Sequence, residues 1–394
     1  MQVAILRQRV TGLGGAETTL THLGRGLAAA GHRVTVYGAS RALAAQPALG
    51  PGIGYVPVPV WGGKAGRLLS YALNTRRLLR QAPPQVVFSL ERTLHQQVYR
   101  AGDGCHREWL ARRGPFLSPG ARVAEGLRPL HRVMLFLEKR LFADPGLRRV
   151  IANSRQVKAE ISRHYGVDPE RIRVIYNGLD RHRFQPLEDT ALKALRPRLG
   201  APPAAGLVLF VGSGFKRKGL TYLIEAFGSL KDRQSVLWVV GKGDAAPYRR
   251  LAERLGCTGR VKFWGPQEEV ASFYQAATVL ALPTLYDPCS NVVLESLACG
   301  TPVVTTAANG AAEFLAPGLS GEILAQPDDV AGLAQALAAY LEQGPDPERR
   351  RAAQEAVAHL SWEATVAQTL AVLEETAAEN HFPDNRKPKT ENGI

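Results

Sequence analysis

Short β-branched runs recur along this chain, each followed by a longer stretch of helical period. That alternation constrains the fold more than any other feature. A strand whose successor must be reached through a crossover helix pairs with it in parallel, so the chain builds parallel sheets flanked by helices. In the first half the runs fall at residues 3–6, 34–38, 86–90, 150–152 and 173–175. In the second they fall at 207–212, 236–241, 261–264, 279–282, 303–305 and 322–324. Helix-patterned segments such as 220–230 and 330–341 lie between them. The expected fold is α/β, with two Rossmann-like doubly wound domains facing across a cleft at the carboxyl ends of their strands.

The joint is expected within "YNGLDRHRFQP", residues 176–186, where Asn177-Gly178 is a turn signal and the charged stretch through Arg183 has no apolar period. This divides the chain into a first domain at 1–178 and a second at 179–360. A helix at 361–378 is expected to pack back on the first domain, ahead of a polar tail at 379–394 expected to be disordered.

The formal charge of +14 attracts anions, and nucleic acid is the first reading to test. It finds no support: there is no zinc-finger spacing, no aromatic-rich RNP-type strand and no basic arm. The arginines are spread over helical segments, and no nucleic-acid partner is expected. The four cysteines are scattered without metal or disulfide spacing, which suits a reducing compartment. The opening "MQVAIL" reads as a first strand rather than a signal segment, and no apolar run reaches membrane-spanning length. The expectation is a soluble cytoplasmic protein.

Three stretches carry chemistry. "FVGSGFKRKGL" (210–220) follows a strand and precedes a helix, with glycines for a sharp turn and Lys216, Arg217 and Lys218 at the helix start. Backbone donors, a positive helix end and cations together suit a diphosphate. An isolated Lys-Arg-Lys is more often a solvated loop; its place at a strand end facing the cleft favours the functional reading. Gly-Lys-Ser/Thr is absent, so this is no Walker motif. "TGLGGAETTL" (11–20) opens a helix after the first strand, and Gly14 and Gly15 permit close approach of a ligand. A tight turn explains it equally well. It lacks the full G-x-G-x-x-G spacing and a ribose-holding acid about 20 residues on, which counts against a nicotinamide or flavin enzyme. "YDPCSNVVLESLACGTPVVTT" (286–306) places Asp287 on a loop and Glu295 eight residues on, in the following helix. Amides of Ser290, Asn291 and Val292 at the helix start are expected to point toward the cleft. Glu295 can hold a ribose diol and Asp287 sugar hydroxyls, although an acid pair at this spacing is often surface decoration.

Together "VGSGFKRKG" and "YDPCSNVVLESLACGTPVV" resemble the retaining glycosyltransferases of family 4, which have the B-type fold. "VIANSRQVKAEISRHYGVDPERIRVIYNGLD" (150–180) is similar to that family's run into its linker, and "SWEATVAQTL" to its final helix. The resemblance implies that Glu295 binds the nucleotide ribose. Asp287, with the amides of Ser290, Asn291 and Val292, holds the transferred sugar; Arg217 and Lys218 hold the diphosphate. Two departures stand out. The loop acid is Asp287 where the family usually has Glu, and Ser213 stands where many members have Arg. That serine, and "VYRAGDGCHREWLARRG" (98–114), resemble the branch that glucosylates lipopolysaccharide core. By that likeness Asp103 faces the reacting centre, ahead of His106.

The resemblance implies hexosyl transfer with retention from a nucleotide-diphosphate sugar, UDP-glucose favoured, to a glycan or glycolipid acceptor of the cell envelope. No carboxyl pair suits a glycosidase nucleophile and acid. No Asp-x-Asp triplet occurs, so neither metal nor cofactor is expected. A bilobed nucleotide-sugar-binding protein and a sugar-nucleotide epimerase are the alternatives. Finally, Arg100 to Arg149 contain 11 Lys or Arg against five Asp or Glu, interleaved with apolar residues such as Phe116, Leu117 and Phe136. Such a surface suits an anionic membrane face, and equally a helix packed on its own sheet.

Overall fold

The computed structural model describes residues 1–9, 15–39, 49–201, 205–344 and 346–381. Its first seven strands are β1 (Gln2–Leu6), β2 (Arg33–Gly38), β3 (Gly54–Pro57), β4 (Val86–Ser89), β5 (Val98–Ala101), β6 (Arg149–Ala152) and β7 (Ile172–Val174). They form one parallel sheet in the order β3-β2-β1-β4-β5-β6-β7. The patterning does not announce β3 or β5. The first is Gly-Tyr-Val-Pro on the sheet edge, half-exposed and closed by a proline, and the second carries an arginine within a fully buried strand.

The second sheet comprises β8 (Leu207–Val211), β9 (Val236–Val240), β10 (Val261–Gly265), β11 (Val279–Leu282), β12 (Val303–Thr306) and β13 (Gly321–Leu324). All six coincide with the expected runs. Their parallel order is β10-β9-β8-β11-β12-β13. Each sheet therefore reverses its winding once, between β1 and β4 in the first and between β8 and β11 in the second. Loops diverge at such a reversal and leave a crevice at the carboxyl ends of the strands, and both Rossmann-like units have theirs here.

One apolar cluster, with Phe210, Phe227, Trp238 and Tyr274 at its centre, fills the second unit. The first unit divides its core among three clusters, built around Ile5 and Phe88, Tyr99 and Leu141, and Leu6 and Tyr71. The helix Trp362–His381 belongs to the first of these three through Val372, Leu373 and Ala377. It runs three residues past the expected 378, so the start assigned to the polar tail is helical, and residues 382–394 lie outside the described residues. Trp362 stacks on His22 with ring centroids 4.2 Å apart. A Cβ at Gly178 would come 2.4 Å from that indole, so the turn between the units is pinned by the returning helix.

Candidate functional site

The two reversal points face one another across a cavity of about 580 Å³. On the second unit's side, the loop after β8 supplies Arg217 and Lys218, and the loop after β11 supplies Asp287. The two loops interlock at Gly219. Its φ is +76°, and a Cβ there would fall 1.9 Å from the Pro283 carbonyl oxygen, so only glycine lets the loops close. Asp287 is buried, and its Oδ2 lies 3.3 Å from Arg217 Nη1 and 3.2 Å from Lys218 Nζ. Arg217 Nη1 also donates to the Tyr286 carbonyl at 2.9 Å. One carboxylate thus holds both cations in the place where a diphosphate is expected.

Ser290 caps the helix Asn291–Ala298. Here one expectation needs correction: the Ser290 amide does not reach into the cleft but donates to Asn309 Oδ1 at 3.3 Å. The amides of Asn291 and Val292, ahead of the first helical hydrogen bonds, belong to residues on the cavity wall. Gly15, at the start of the helix Gly15–Ala29, sits opposite: a Cβ there would meet Asn291 Nδ2 at 3.1 Å. Two helix N-termini, one from each unit, therefore converge on the cavity. Gly14 lies outside the described residues. Glu295 stands one turn inside its helix and is not on the cavity wall; it accepts a hydrogen bond from Tyr274 Oη at 2.7 Å, and burial pushes its carboxyl up.

The first unit contributes Asp103 from the loop after β5, together with Arg7 and Arg92. Arg92 Nη2 donates to the Gly104 carbonyl at 2.7 Å and its Nε to Glu138 at 2.9 Å, which fixes the loop behind Asp103. His106 also lines the cavity. Its ring approaches His131 at 3.0 Å, and burial pushes it down to about 4, so it is a neutral group at neutral pH.

Tyr286, which no sequence signal singled out, ties the walls together. Its hydroxyl donates to Glu160 Oε2 at 2.6 Å and accepts from the Cys105 amide at 3.1 Å. At Gly104 φ is +64°, and a Cβ would land 2.1 Å from the same hydroxyl. The loop carrying Asp103 is therefore seated directly on the residue preceding Asp287. Arg7, Arg92 and Arg100 on the cavity were also missed, Arg100 because its strand was missed. The structure thus gathers Asp103, Arg217, Lys218, Asp287, Gly15, Ser290, Asn291 and Val292 around one cavity and leaves Glu295 behind it.

Residues 13–183 match the family described as Glycosyltransferase Family 4, and residues 205–343 match the one described as Glycosyl transferases group 1. The lipopolysaccharide glucosyltransferase WaaG of Escherichia coli (strain K12) is 28% identical over 88% of this chain and 91% of its own length. A D-inositol 3-phosphate glycosyltransferase of Streptomyces bingchenggensis (strain BCW-1) is 35% identical over 51% of this chain, which spans only 46% of that relative. Among solved structures, that of WaaG superposes with a TM-score of 0.80 at 24% identity, covering 94% of this chain and 99% of its own. Anabaena HepE in complex with UDP-glucose gives 0.69 at 19% identity, covering 95% and 100%. At these identities the two structures speak for the fold.

Proposed function

Because the chain belongs to glycosyltransferase family 4 and has the B-type fold, we propose that it transfers a hexose, with retention and without a metal, from a nucleotide-diphosphate sugar to a glycan or glycolipid acceptor. Glucose from UDP is the favoured donor and lipopolysaccharide core, or another envelope glycan, the favoured acceptor. The observation that carries this reading is the cavity shared by two reversal points, with Arg217 and Lys218 on one wall and Asp103 on the other. WaaG, a lipopolysaccharide glucosyltransferase, supports the choice of a glucosyl donor and a lipopolysaccharide acceptor.

In this reading the diphosphate draws Arg217 and Lys218 away from Asp287, which is then free to hold sugar hydroxyls. The acceptor hydroxyl enters on the face from which the diphosphate leaves. The bond from the anomeric carbon to phosphate breaks, the bond to the acceptor oxygen forms, and the acceptor's proton passes to the departing phosphate oxygen. Arg217 and Lys218 offset the charge that grows on the diphosphate, the role other transferases of nucleotide sugars give to a metal. Asp103 and Asp287 orient the reactants. Glu295 holds the ribose, reached from behind the cavity wall.

The acceptor side supports a membrane-facing enzyme on the cytoplasmic leaflet. Val123 and Leu127 are 65% and 66% exposed on the helix Pro119–Leu127, beside exposed Arg122, Arg128 and Arg132. Among the described residues no helix is long and apolar enough to cross a membrane. The test is a screen of nucleotide sugars against lipopolysaccharide-core acceptors in vesicles, with the anomeric configuration of the product read by NMR and a chelator arm. Inversion, or loss of activity to chelator, defeats the mechanism. Failure of every donor defeats the reading as a whole. Equal binding to neutral and anionic vesicles removes the membrane component.

A further inference from the structure

His106 lines the cavity with one ring nitrogen already engaged. Its Nε2 meets His131 Nδ1 at 3.0 Å, and His131 Nε2 meets Glu125 Oε2 at 2.8 Å. All three side chains are buried, and of the three only His106 belongs to the cavity wall. They come from three helices between β5 and β6, namely His106–Arg113, Pro119–Leu127 and Pro129–Phe142. Fastening these helices does not require the two rings. Glu125 already ties the second to the first through Arg113, and Glu138 ties the third to the first through the His106 amide at 2.8 Å.

The direction of the chain follows from where hydrogens can sit. Burial works to raise the Glu125 carboxyl, but the bond with His131 and the pairing with Arg113 and Arg128 at 2.9 Å outweigh it and hold it below its usual range. An ionised carboxylate can only accept, so His131 carries its hydrogen on Nε2. With one hydrogen on that ring, His131 Nδ1 is bare and accepts in turn from His106 Nε2. Burial, and next Arg92, push His106 down to about 4, so its own ring also carries a single hydrogen at neutral pH. What remains on His106 is a bare Nδ1, with no hydrogen-bond partner among the described residues.

We propose that Glu125 and His131 are positioning residues that fix His106 as the Nε2–H tautomer, so that its bare Nδ1 accepts a hydrogen bond from a sugar hydroxyl in the cavity. The hydroxyl belongs either to the donor's hexose or to the acceptor glycan. Its assignment to a sugar rests on the transferase reading; the tautomer rests on the chain of three side chains. A bare nitrogen takes groups that donate and repels the lone pairs of a carboxylate or phosphate oxygen. With Asp103 three residues earlier on the same wall, the first unit offers two acceptors, where the second offers Arg217 and Lys218 to an anion.

Nitrogen NMR of the full chain with isotope-labelled histidine, above the ordinary titration range of histidine, reads the tautomer. Loss of signals in His106→Phe identifies the ring. The expected result is hydrogen on Nε2 and a bare Nδ1. In Glu125→Gln the arginines keep the amide oxygen, the amide nitrogen turns to His131, and both rings reverse. Hydrogen on His106 Nδ1 in wild type, or a tautomer untouched by Glu125→Gln, overturns the relay. Calorimetric titration with UDP-glucose and UDP reads the hydroxyl. UDP-glucose weakened several-fold by His106→Phe, with UDP unchanged, assigns it to the donor's hexose. Unchanged donor binding with an acceptor KM several-fold higher assigns it to the acceptor, and neither change in the folded variant overturns the contact. Should His106→Phe not fold, the wild-type spectrum carries the test: the bare nitrogen's resonance must move with UDP-glucose or acceptor beyond any change with UDP, and a resonance unmoved by both overturns it. A wild type that binds no nucleotide sugar defeats the transferase reading, while the relay still stands or falls by its tautomer.

Discussion

The two units of this enzyme hold themselves together differently. In the second, one apolar cluster runs through the whole core, and its buried charged side chains among the described residues, Lys218 and Asp287, both lie on the cavity. In the first, Glu108, Glu125, Glu138 and Glu160 are buried as well. Glu108 accepts from Arg112, Arg163 and His164 at 2.6–2.7 Å. Glu125 meets Arg113, Arg128 and His131 at 2.8–2.9 Å. Glu138 receives the amides of His106 and Arg107. These carboxylates fasten the helices His106–Arg113, Pro119–Leu127 and Pro129–Phe142, inserted between β5 and β6, to one another, to the helix Arg155–Tyr165 and to Arg92 in the loop after β4. Apolar packing is forgiving of direction, whereas a buried charge network is satisfied in one arrangement and costly in any other. The first unit thus gains a specific shape for its wall of the cavity at the expense of sensitivity to protonation, while the second keeps its buried charges on the cavity itself.

The contrast can be broken by substitution. The largest effect is expected at Lys218. On the proposed mechanism Lys218→Ala removes a donor to the leaving diphosphate, and kcat should fall a hundred- to thousand-fold, roughly 3–4 kcal/mol of transition-state stabilisation. A near-normal rate would remove Lys218 from the chemistry.

Next comes the protonation of Glu160, which faces Tyr286, Gln156 and Cys105, with Glu108 and Arg112 further off. Burial raises its carboxyl from 4.5 to about 7. Between those values the folded chain holds the proton more tightly than the unfolded one. Its contribution is therefore full below pH 4.5 and lost as pH rises through about 7. A ten-fold change in proton affinity is worth about 1.4 kcal/mol, so wild-type stability should decline by up to about 3 kcal/mol across that window. Urea melts of Glu160→Gln should show a flatter profile; parallel profiles would deny the first unit its sensitivity to pH.

Backbone strain gives the third test. Gly219→Ala must combine positive φ with a clash against Pro283, and should lose roughly 2 kcal/mol or more. Gly31→Ala in the first unit also has positive φ but meets nothing within 4 Å, and should lose only about 1 kcal/mol. Equal losses would mean that the interlock of the cavity loops does not matter. The smallest effect is expected at Glu295. Glu295→Ala should raise the donor KM about ten-fold, about 1.4 kcal/mol, with kcat little changed, because a ribose contact is made alike before and during reaction. Steady-state kinetics that lower kcat instead would move Glu295 toward the reacting centre.

The same contrast explains what could be read in advance. Every strand of the second sheet falls on one of the short runs read from the sequence, with turn residues around it, so its pattern is local and visible. In the first sheet, β3 is brief and edge-exposed, and β5 hides an arginine among apolar neighbours, which breaks the period. At the site, Arg217, Lys218, Asp287 and the helix after it stand out because chemistry clusters in short motifs. The pairing of Lys218 with Asp287 spans 69 residues, that of Arg100 with Asn177 spans 77, and that of Tyr286 with Glu160 spans 126. No periodicity reports such partners; the crossover order within each sheet brings the first two pairs together, and the meeting of the two units brings the third. The helix of Glu295 is legible, but not that its side chain lies behind the wall, against Tyr274.

The returning helix Trp362–His381 has one more consequence, for how the chain is made. Val372, Leu373 and Ala377 complete a core whose other members, such as Val3, Ile5 and Leu20, emerge from the ribosome first. The second unit, with its own continuous core, can fold as it emerges. The first must wait with an apolar face uncovered until that helix emerges, because the loop that closes its core contains the whole second unit. Release before this helix is made would therefore yield a product with a sound second unit and an open, aggregation-prone first one.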